Sequence, residues 1–407
     1  MKKYLRLIST VFFITTITSS FAQNSWLQKG NVGTAGRKNA AAFSIGTKGF
    51  IATGLGDFAT MLKDCWAYNQ TSGTWTQKAD FGGTQRYGAV GFSVGNFGYV
   101  GTGIDASSVK SDFYKYDPSG NSWTAVASLP SPARRSACAF ATSTKGYAGL
   151  GFSTVPLQDF FEYNPSNNSW TAIASFTGAA RYLAVAASAN DKGYVGTGLS
   201  GGASYYQDWY EYDPTLNSWA SKTDFNGGLR AEAMAFGVDG KIYVGTGYNS
   251  TGTQKIDCNE FDPVANTWNQ RADITLNTGR RNGAVGFAIG YYGYCATGTG
   301  PNGTMIDTWE YTPLNVGIEK NNLPDEMVHL YPNPSHGVMT LDYVLTKNTP
   351  AKFSLMDVMG KEVALYDLPS SAKSVKISEP SLNEGVYFYK VMLNDQSVAS
   401  GRILIIR

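Results

Sequence analysis

Hydrophobic positions in this chain come in short runs, and the runs repeat. In each repeat the first run is built from small residues, as in Gly88-Ala89-Val90-Gly91 and Ala184-Val185-Ala186-Ala187. The second is bounded by glycine: GFIATG at 49–54, GYVGTG at 98–103, GYAGLG at 146–151, GYVGTG at 193–198, IYVGTG at 242–247 and GYCATG at 293–298. The third is aromatic and ends in a turn signal (FYKYDP, FFEYNP, WYEYDP, NEFDP, WEYTP). The fourth carries a tryptophan: Trp75, Trp123, Trp170, Trp219 and Trp268. Short runs punctuated by Gly, Pro, Asn and Asp predict strands joined by tight turns. Small side chains suit an innermost strand that crowds against its counterparts around an axis.

Two polar residues mark the same repeat. Arginine recurs at Arg37, Arg86, Arg134, Arg181, Arg230 and Arg281, at steps of 49, 48, 47, 49 and 51. Six residues after each stands Phe43, Phe92, Phe140, Ala187, Phe236 or Phe287. Aspartate follows the glycine-bounded run at Asp64, Asp112, Asp159, Asp208, Asp257 and Asp307. Four strands in a unit of about 48 residues predict a propeller blade. There are six arginines and five tryptophans after them. The missing one is Trp26, 49 residues ahead of Trp75. The strand around Trp26 is therefore expected to complete the sixth blade, closing the ring and removing its exposed edge. The fold class is all-β, with a six-bladed propeller over residues 23–313.

These features resemble kelch repeats. The residues that carry the resemblance are the glycine-bounded strand, the aromatic Tyr-Asp-Pro strand and the spaced tryptophan. One departure stands out. The kelch glycine doublet is here Thr-Gly in five units, as at Thr102-Gly103, and Leu150-Gly151 in one.

The two ends read differently. Lys2, Lys3 and Arg6 precede an apolar run from Leu7 to Ile17, and small residues Ser20 and Ala22 flank Phe21. This is the layout of a signal peptide over residues 1–22, cleaved after Ala22. The run is short of the ~20 residues a membrane span needs, so no span is expected in the mature protein. Residues 314–324 break the repeat and predict a linker. Residues 325–407 then show alternating strands, predicting a small Ig-like β-sandwich. Its Tyr331-Pro332-Asn333-Pro334 start, Gly360-Lys361-Glu362-Val363 turn, Gly385-Val386-Tyr387-Phe388-Tyr389 strand and terminal Arg407 resemble the C-terminal sorting domain of type IX secretion in Bacteroidetes. The resemblance implies a transport address, read by the type IX machinery and usually removed by its C-terminal processing enzyme. The expected location is the outer cell surface or the medium, reached through the periplasm.

Composition narrows the chemistry. Of 407 residues 33 are basic and 31 acidic, so there is no excess charge for neutralising a nucleic acid. The hydrophobic fraction of 43% excludes a chain that is mainly disordered. The two histidines, His329 and His336, both lie in the tail and are expected in solvated loops. The repeats therefore lack a Ser-His-Asp triad, a Cys-His pair and His-ligated metal. No cofactor or metal is expected. Two matches to G-x-G-x-x-G, Gly196–Gly201 and Gly298–Gly303, are read as turns, because a dinucleotide site needs a helix after the loop. Cys65, Cys138, Cys258 and Cys295 are expected as buried free thiols, with Cys138 and Cys295 on inner strands; the alternative is a single disulfide whose pairing the sequence does not place.

The six arginines are the candidate binding residues. Guanidinium pairs well with carboxylate or phosphate. They are expected near one mouth of the channel, either as an anion-binding ring or, as sixfold repetition favours, as structural ties to nearby carboxylates or carbonyls. The six aspartates are expected to make turns. The glutamates of the repeat region, Glu162, Glu211, Glu232, Glu260 and Glu310, fall mostly at equivalent strand positions. That pattern favours a binding protein for a protein or glycan ligand over the alternative, a carbohydrate-active enzyme such as a sialic acid epimerase or lyase.

Overall fold

In the computed structural model the chain separates into two units, Met1–Leu314 and Asn315–Arg407. The structure describes residues 24–202, 204–274, 279–314, 328–343, 351–358, 360–369, 373–393 and 396–406. The expected signal peptide and residues 315–324 of the expected linker lie outside these. Among the described residues the regular structure is β, apart from one 3-10 turn at Asp57–Ala59. No helix there is long and apolar enough to cross a membrane.

Among its described residues the first unit holds six four-stranded antiparallel sheets. The first runs through Ala41–Ile45, Lys48–Leu55, Met61–Asn69 and Thr74–Lys78, and the next four repeat that order along the chain. The sixth is assembled from both ends of the unit. Val285–Ile289, Tyr292–Ala296 and Thr308–Thr312 supply three strands, and Ser25–Lys29 pairs antiparallel to the last, with Trp26 opposite Tyr311. Trp26 then does what the other five tryptophans do. Its indole Nε1 donates to the Ala272 carbonyl of the preceding repeat at 2.8 Å, as Trp123 does to Ala79 at 3.0 Å and Trp219 to Ala174 at 2.9 Å. Asn24 also caps the Ala272 amide, as Asn121 caps Ala79.

The first strand of each sheet packs against the first strand of the next, and the sixth against the first. The result is a closed, propeller-like ring. Its core is a chain of ring-into-gap contacts. Phe43 stacks on Phe50 in its own sheet, with centroids 5.0 Å apart. It also presses where a Cβ on Gly98 of the next sheet would stand. Phe92 meets Gly146, Phe140 meets Gly193, Phe236 meets Gly293 and Phe287 meets Gly49 in the same way. The fourth sheet has Ala187 instead of Phe, and the fifth has Ile242 instead of Gly. Both are buried in one cluster, so the larger residue fills the space the smaller one leaves.

The second unit is a two-sheet sandwich. Val328–Tyr331, Val338–Tyr343 and Ser374–Ser378 form one sheet, and Glu362–Leu368, Ala351–Met356, Gly385–Leu393 and Gln396–Ile405 the other. Leu341 and Ile377 from the first share a core with Phe353, Leu355, Val391 and Ile403 from the second. His336 is exposed. The backbone of His329, expected in a loop, lies in the strand Val328–Tyr331, opposite Asp342, because apolar Val328 and Leu330 on either side pack against the core.

Candidate functional site

All six arginines are completely buried. Each stands just before the first strand of its sheet and faces an aspartate that immediately precedes the third strand or, for Asp64, lies within it. Arg37 holds Asp64 through two bonds of 2.7 Å, Arg281 holds Asp307 through two of 2.8 Å, and Arg134 holds Asp159 at 2.5 and 2.8 Å. Arg86 clasps Asp112, and Arg181 clasps Asp208, with the same two-pronged geometry. Arg230 reaches Asp257 with one nitrogen and gives its other to the Gly227 carbonyl. The aspartates, expected as turn-makers, are thus the arginines' partners. The pairing joins residues 25 to 27 positions apart, and no short-range periodicity announces it.

Further bonds occupy most of the guanidinium donors, although Arg37 Nε is buried without a partner. In every sheet Nη1 also donates to a backbone carbonyl 16 residues on: Thr53, Thr102, Leu150, Thr197, Thr246 or Thr297, at 3.0–3.2 Å. These are the first residues of the Thr-Gly and Leu-Gly doublets. All six are left-handed, with φ between 55° and 64°. A non-glycine residue there is strained, and the arginine bond is one contact that holds it. The arginine's own carbonyl accepts from the doublet glycine of the preceding sheet, as Gly103 to Arg134 at 2.9 Å and Gly298 to Arg37 at 2.8 Å. The aspartate side chains keep some exposure while the guanidinium has none, so an incoming anion would have to displace a carboxylate to reach one. Around Asp64, burial pushes the carboxyl's pKa up. The bonds and charge of Arg37 and the Trp66 indole outweigh that and hold it below the ordinary value.

Two residues past each arginine lies a second ring, which the sequence reading did not find. The backbone amide of Gly88 donates to Asn39, Ser136 to Gly88, Leu183 to Ser136, Glu232 to Leu183, Gly283 to Glu232, and Asn39 back to Gly283, at 2.8–3.2 Å. One residue from each sheet thus forms a closed collar of six hydrogen bonds. All six are left-handed, with φ from 51° to 65°. The side chains differ at every sheet but two, and Glu232 carries the one charge in the collar. Asn39 Nδ2 donates to one of its oxygens at 3.1 Å and Asn282 Nδ2 to the other. Gln254 Nε2 fixes Asn282 in turn, at 2.7 Å.

Aromatic residues gather beside Glu232. Tyr248 is bridged through its backbone to Ala231 and stands 5.8 Å, centroid to centroid, from Tyr205. Tyr182, next to Leu183 of the collar, lies 5.1 Å from Phe152, and the Arg135 guanidinium sits over that ring at 5.5 Å. Burial, then the charge of Glu232 and the neighbouring Tyr205 and Tyr182, push the Tyr248 hydroxyl's pKa well up. Glu232 had been grouped with the strand glutamates. Those are different: Glu162, Glu211, Glu260 and Glu310 each accept from a tyrosine of the neighbouring strand, as Tyr243 to Glu260 at 2.7 Å. The signal that separates Glu232 is its position, Arg+2 rather than mid-strand.

The four cysteines are buried and unbridged. Burial raises the pKa of Cys138 and of Cys295 to about 12, so neither is a ready nucleophile. Cys138 is on a first strand as expected. Cys295 is on the second strand of its sheet, because it belongs to the glycine-bounded run and not to the small-residue run. The first G-x-G-x-x-G match runs into β-bridges and the second folds into a short hairpin, and among the described residues no helix follows either. Among the described residues no group of three His, Cys, Asp or Glu is placed to hold a metal.

Residues 329–406 match the family model of a secretion system C-terminal sorting domain. The tail is a sorting domain. Such a domain indicates export through type IX secretion to the cell surface or the medium, and handling by that machinery. The sorting domain covers the second unit and leaves the ring to be compared separately. A solved structure, "Structure of YjhT", superposes with a TM-score of 0.58, covering 68% of this chain and 95% of that one at 15% sequence identity. At that identity the likeness speaks for the fold, a propeller-like arrangement of repeated four-stranded sheets. No curated protein matches the chain.

Proposed function

We propose that this chain is an exported binding protein: a six-bladed kelch-like propeller carried to the outer surface by its tail. In this reading residues 1–22 are a cleaved signal peptide, 23–313 the propeller, 314–324 a linker and 325–407 an Ig-like sorting domain that is removed after export. The observation that carries it is a sorting domain in the same chain as a ring whose described strands close on one another. The arginine ring is structural in this proposal, since every guanidinium is buried against a carboxylate of its own sheet. Binding falls to the mouth around the collar, where the sixfold pattern breaks. The enzymatic alternative rests on Glu232 alone, with no histidine in the ring to share proton transfer.

The experiment is cell fractionation of a type IX-competent host, with mass spectrometry of the mature termini. The expected result is a product beginning at Gln23, ending within residues 314–330 and found at the surface or in the medium. Removal of 325–407 should leave a folded ring in the periplasm. A truncated protein that still reaches the surface in normal amounts would overturn the proposal.

A further inference from the structure

We propose that the Glu232 side of the collar is a saccharide-binding site, in which one carboxylate and two amides engage adjacent hydroxyls while tyrosine rings cover the sugar's C–H face. This deepens the reading above and rests on the ring being a binding protein.

The collar's sixfold symmetry breaks at Glu232. Six equivalent positions share one backbone geometry and one closed set of hydrogen bonds. That geometry asks for glycine or asparagine, and Asn39, Gly88 and Gly283 comply. A glutamate at φ 52° is costly there, and nothing in the collar's backbone bonding needs its side chain.

Donors and acceptors alternate around Glu232. Each Glu232 oxygen receives one amide proton and keeps spare acceptor capacity, while Asn39 and Asn282 each keep a second N–H. Gln254 locks Asn282, so the array is held before any ligand arrives. A sugar hydroxyl both donates and accepts, so two neighbouring hydroxyls on one ring fit an acceptor set beside donors.

Tyrosines supply an apolar wall. Tyr182, Tyr205 and Tyr248 are partly exposed, and Tyr248 lies within the electrostatic reach of Glu232, Tyr205 and Tyr182. Tyrosine offers an apolar face with a polar edge, which matches the alternating C–H and O–H surface of a pyranose.

The test is a printed array of neutral and acidic glycans probed with the full-length protein. At least one saccharide class should bind. Glu232→Gln and Tyr248→Ala should each weaken that binding at least ten-fold, and Glu162→Gln, which alters a strand glutamate, should leave it unchanged. Melting curves identify a variant that has lost its fold, and Tyr182→Ala then takes its place. Binding restricted to acidic glycans would identify the acid-bearing form of the same ligand class. No binding on the array, or binding indifferent to the Glu232 and tyrosine changes, overturns the site. Correct export with no glycan binding would leave the sorting reading intact and point to a protein ligand.

Discussion

Two rings lie two residues apart in every repeat, and they have opposite characters. In the arginine ring the same side chain recurs in all six sheets, completely buried and paired with an aspartate each time. In the collar the backbone recurs and the side chain is free to vary: Asn39, Gly88, Ser136, Leu183, Glu232 and Gly283. The difference separates what repetition maintains from what it tolerates. A side chain that must fill the same buried space six times is bound to one identity. A position that contributes only its amide and carbonyl can carry any side chain the left-handed backbone accepts, and is where a ligand site can be installed without disturbing the ring.

The largest expected effect comes from cutting the arginine ring on its acidic side. Asp112→Ala or Asp208→Ala strands a guanidinium with no exposure of its own, and breaking a buried pair this way costs about 3–5 kcal/mol. Urea unfolding of the two variants should show similar losses. A loss below 1 kcal/mol at either site would mean that the pair is held by something else, and the contrast between the rings would fail.

A smaller effect is expected from the packing between sheets. Gly98→Ile should clash with Phe43 and cost about 1–3 kcal/mol as an overpacked core does. Adding Phe43→Ala copies the natural Ala187 and Ile242 arrangement and should recover most of that loss. A double variant no more stable than the sum of its parts would rule out the ring-into-gap account.

The collar should respond least. Leu183→Gly relieves a left-handed residue, and the change in stability should stay within about 1 kcal/mol. A loss several times larger would show that the collar's side chains are as constrained as the arginines.

Acid should act on the arginine ring through Asp64. Its carboxyl has a depressed pKa in the folded state, so its stabilising effect is present above the unfolded value of about 3.9 and is lost as pH falls through the lower folded value. Asp64→Asn should therefore flatten the stability profile below pH ~4 relative to the parent. A profile of unchanged slope would refute the assignment.

Most of the ring could be read from spacing. Arginine, aspartate, glycine-bounded strand and tryptophan each recur once per sheet, and one spare tryptophan placed the strand Ser25–Lys29 in the sixth sheet. An Asn-Ser-Trp step at 24–26, 121–123, 168–170 and 217–219 carries the same message. The partnership of arginine with aspartate was hidden, because two series with one period can meet in many registers and the sequence does not choose among them. The match of Ala187 with Ile242 was hidden for a related reason: each looks like a lone exception until neighbouring sheets are brought together. Glu232 was missed because a glutamate among repeats invites comparison with other glutamates, whereas its equivalents are Asn39, Gly88 and Ser136.

The seam of the sixth sheet governs the order in which the molecule can be made. The Asn24 amide donates to the Thr312 carbonyl at 2.8 Å, so the two ends of the ring meet side by side like a clasp. Of the ring's strands Ser25–Lys29 comes first in the chain and finds its neighbour last, because that neighbour is the final strand of the ring. Until then every intermediate presents an open strand edge, the feature that invites pairing with a second chain. Early strands must wait for late ones, which puts slow closure and long-range contacts at the centre of the folding problem. A circular permutant opened between two other sheets would turn the sixth into an ordinary hairpin succession and move the vulnerable joint elsewhere, with the finished ring unchanged.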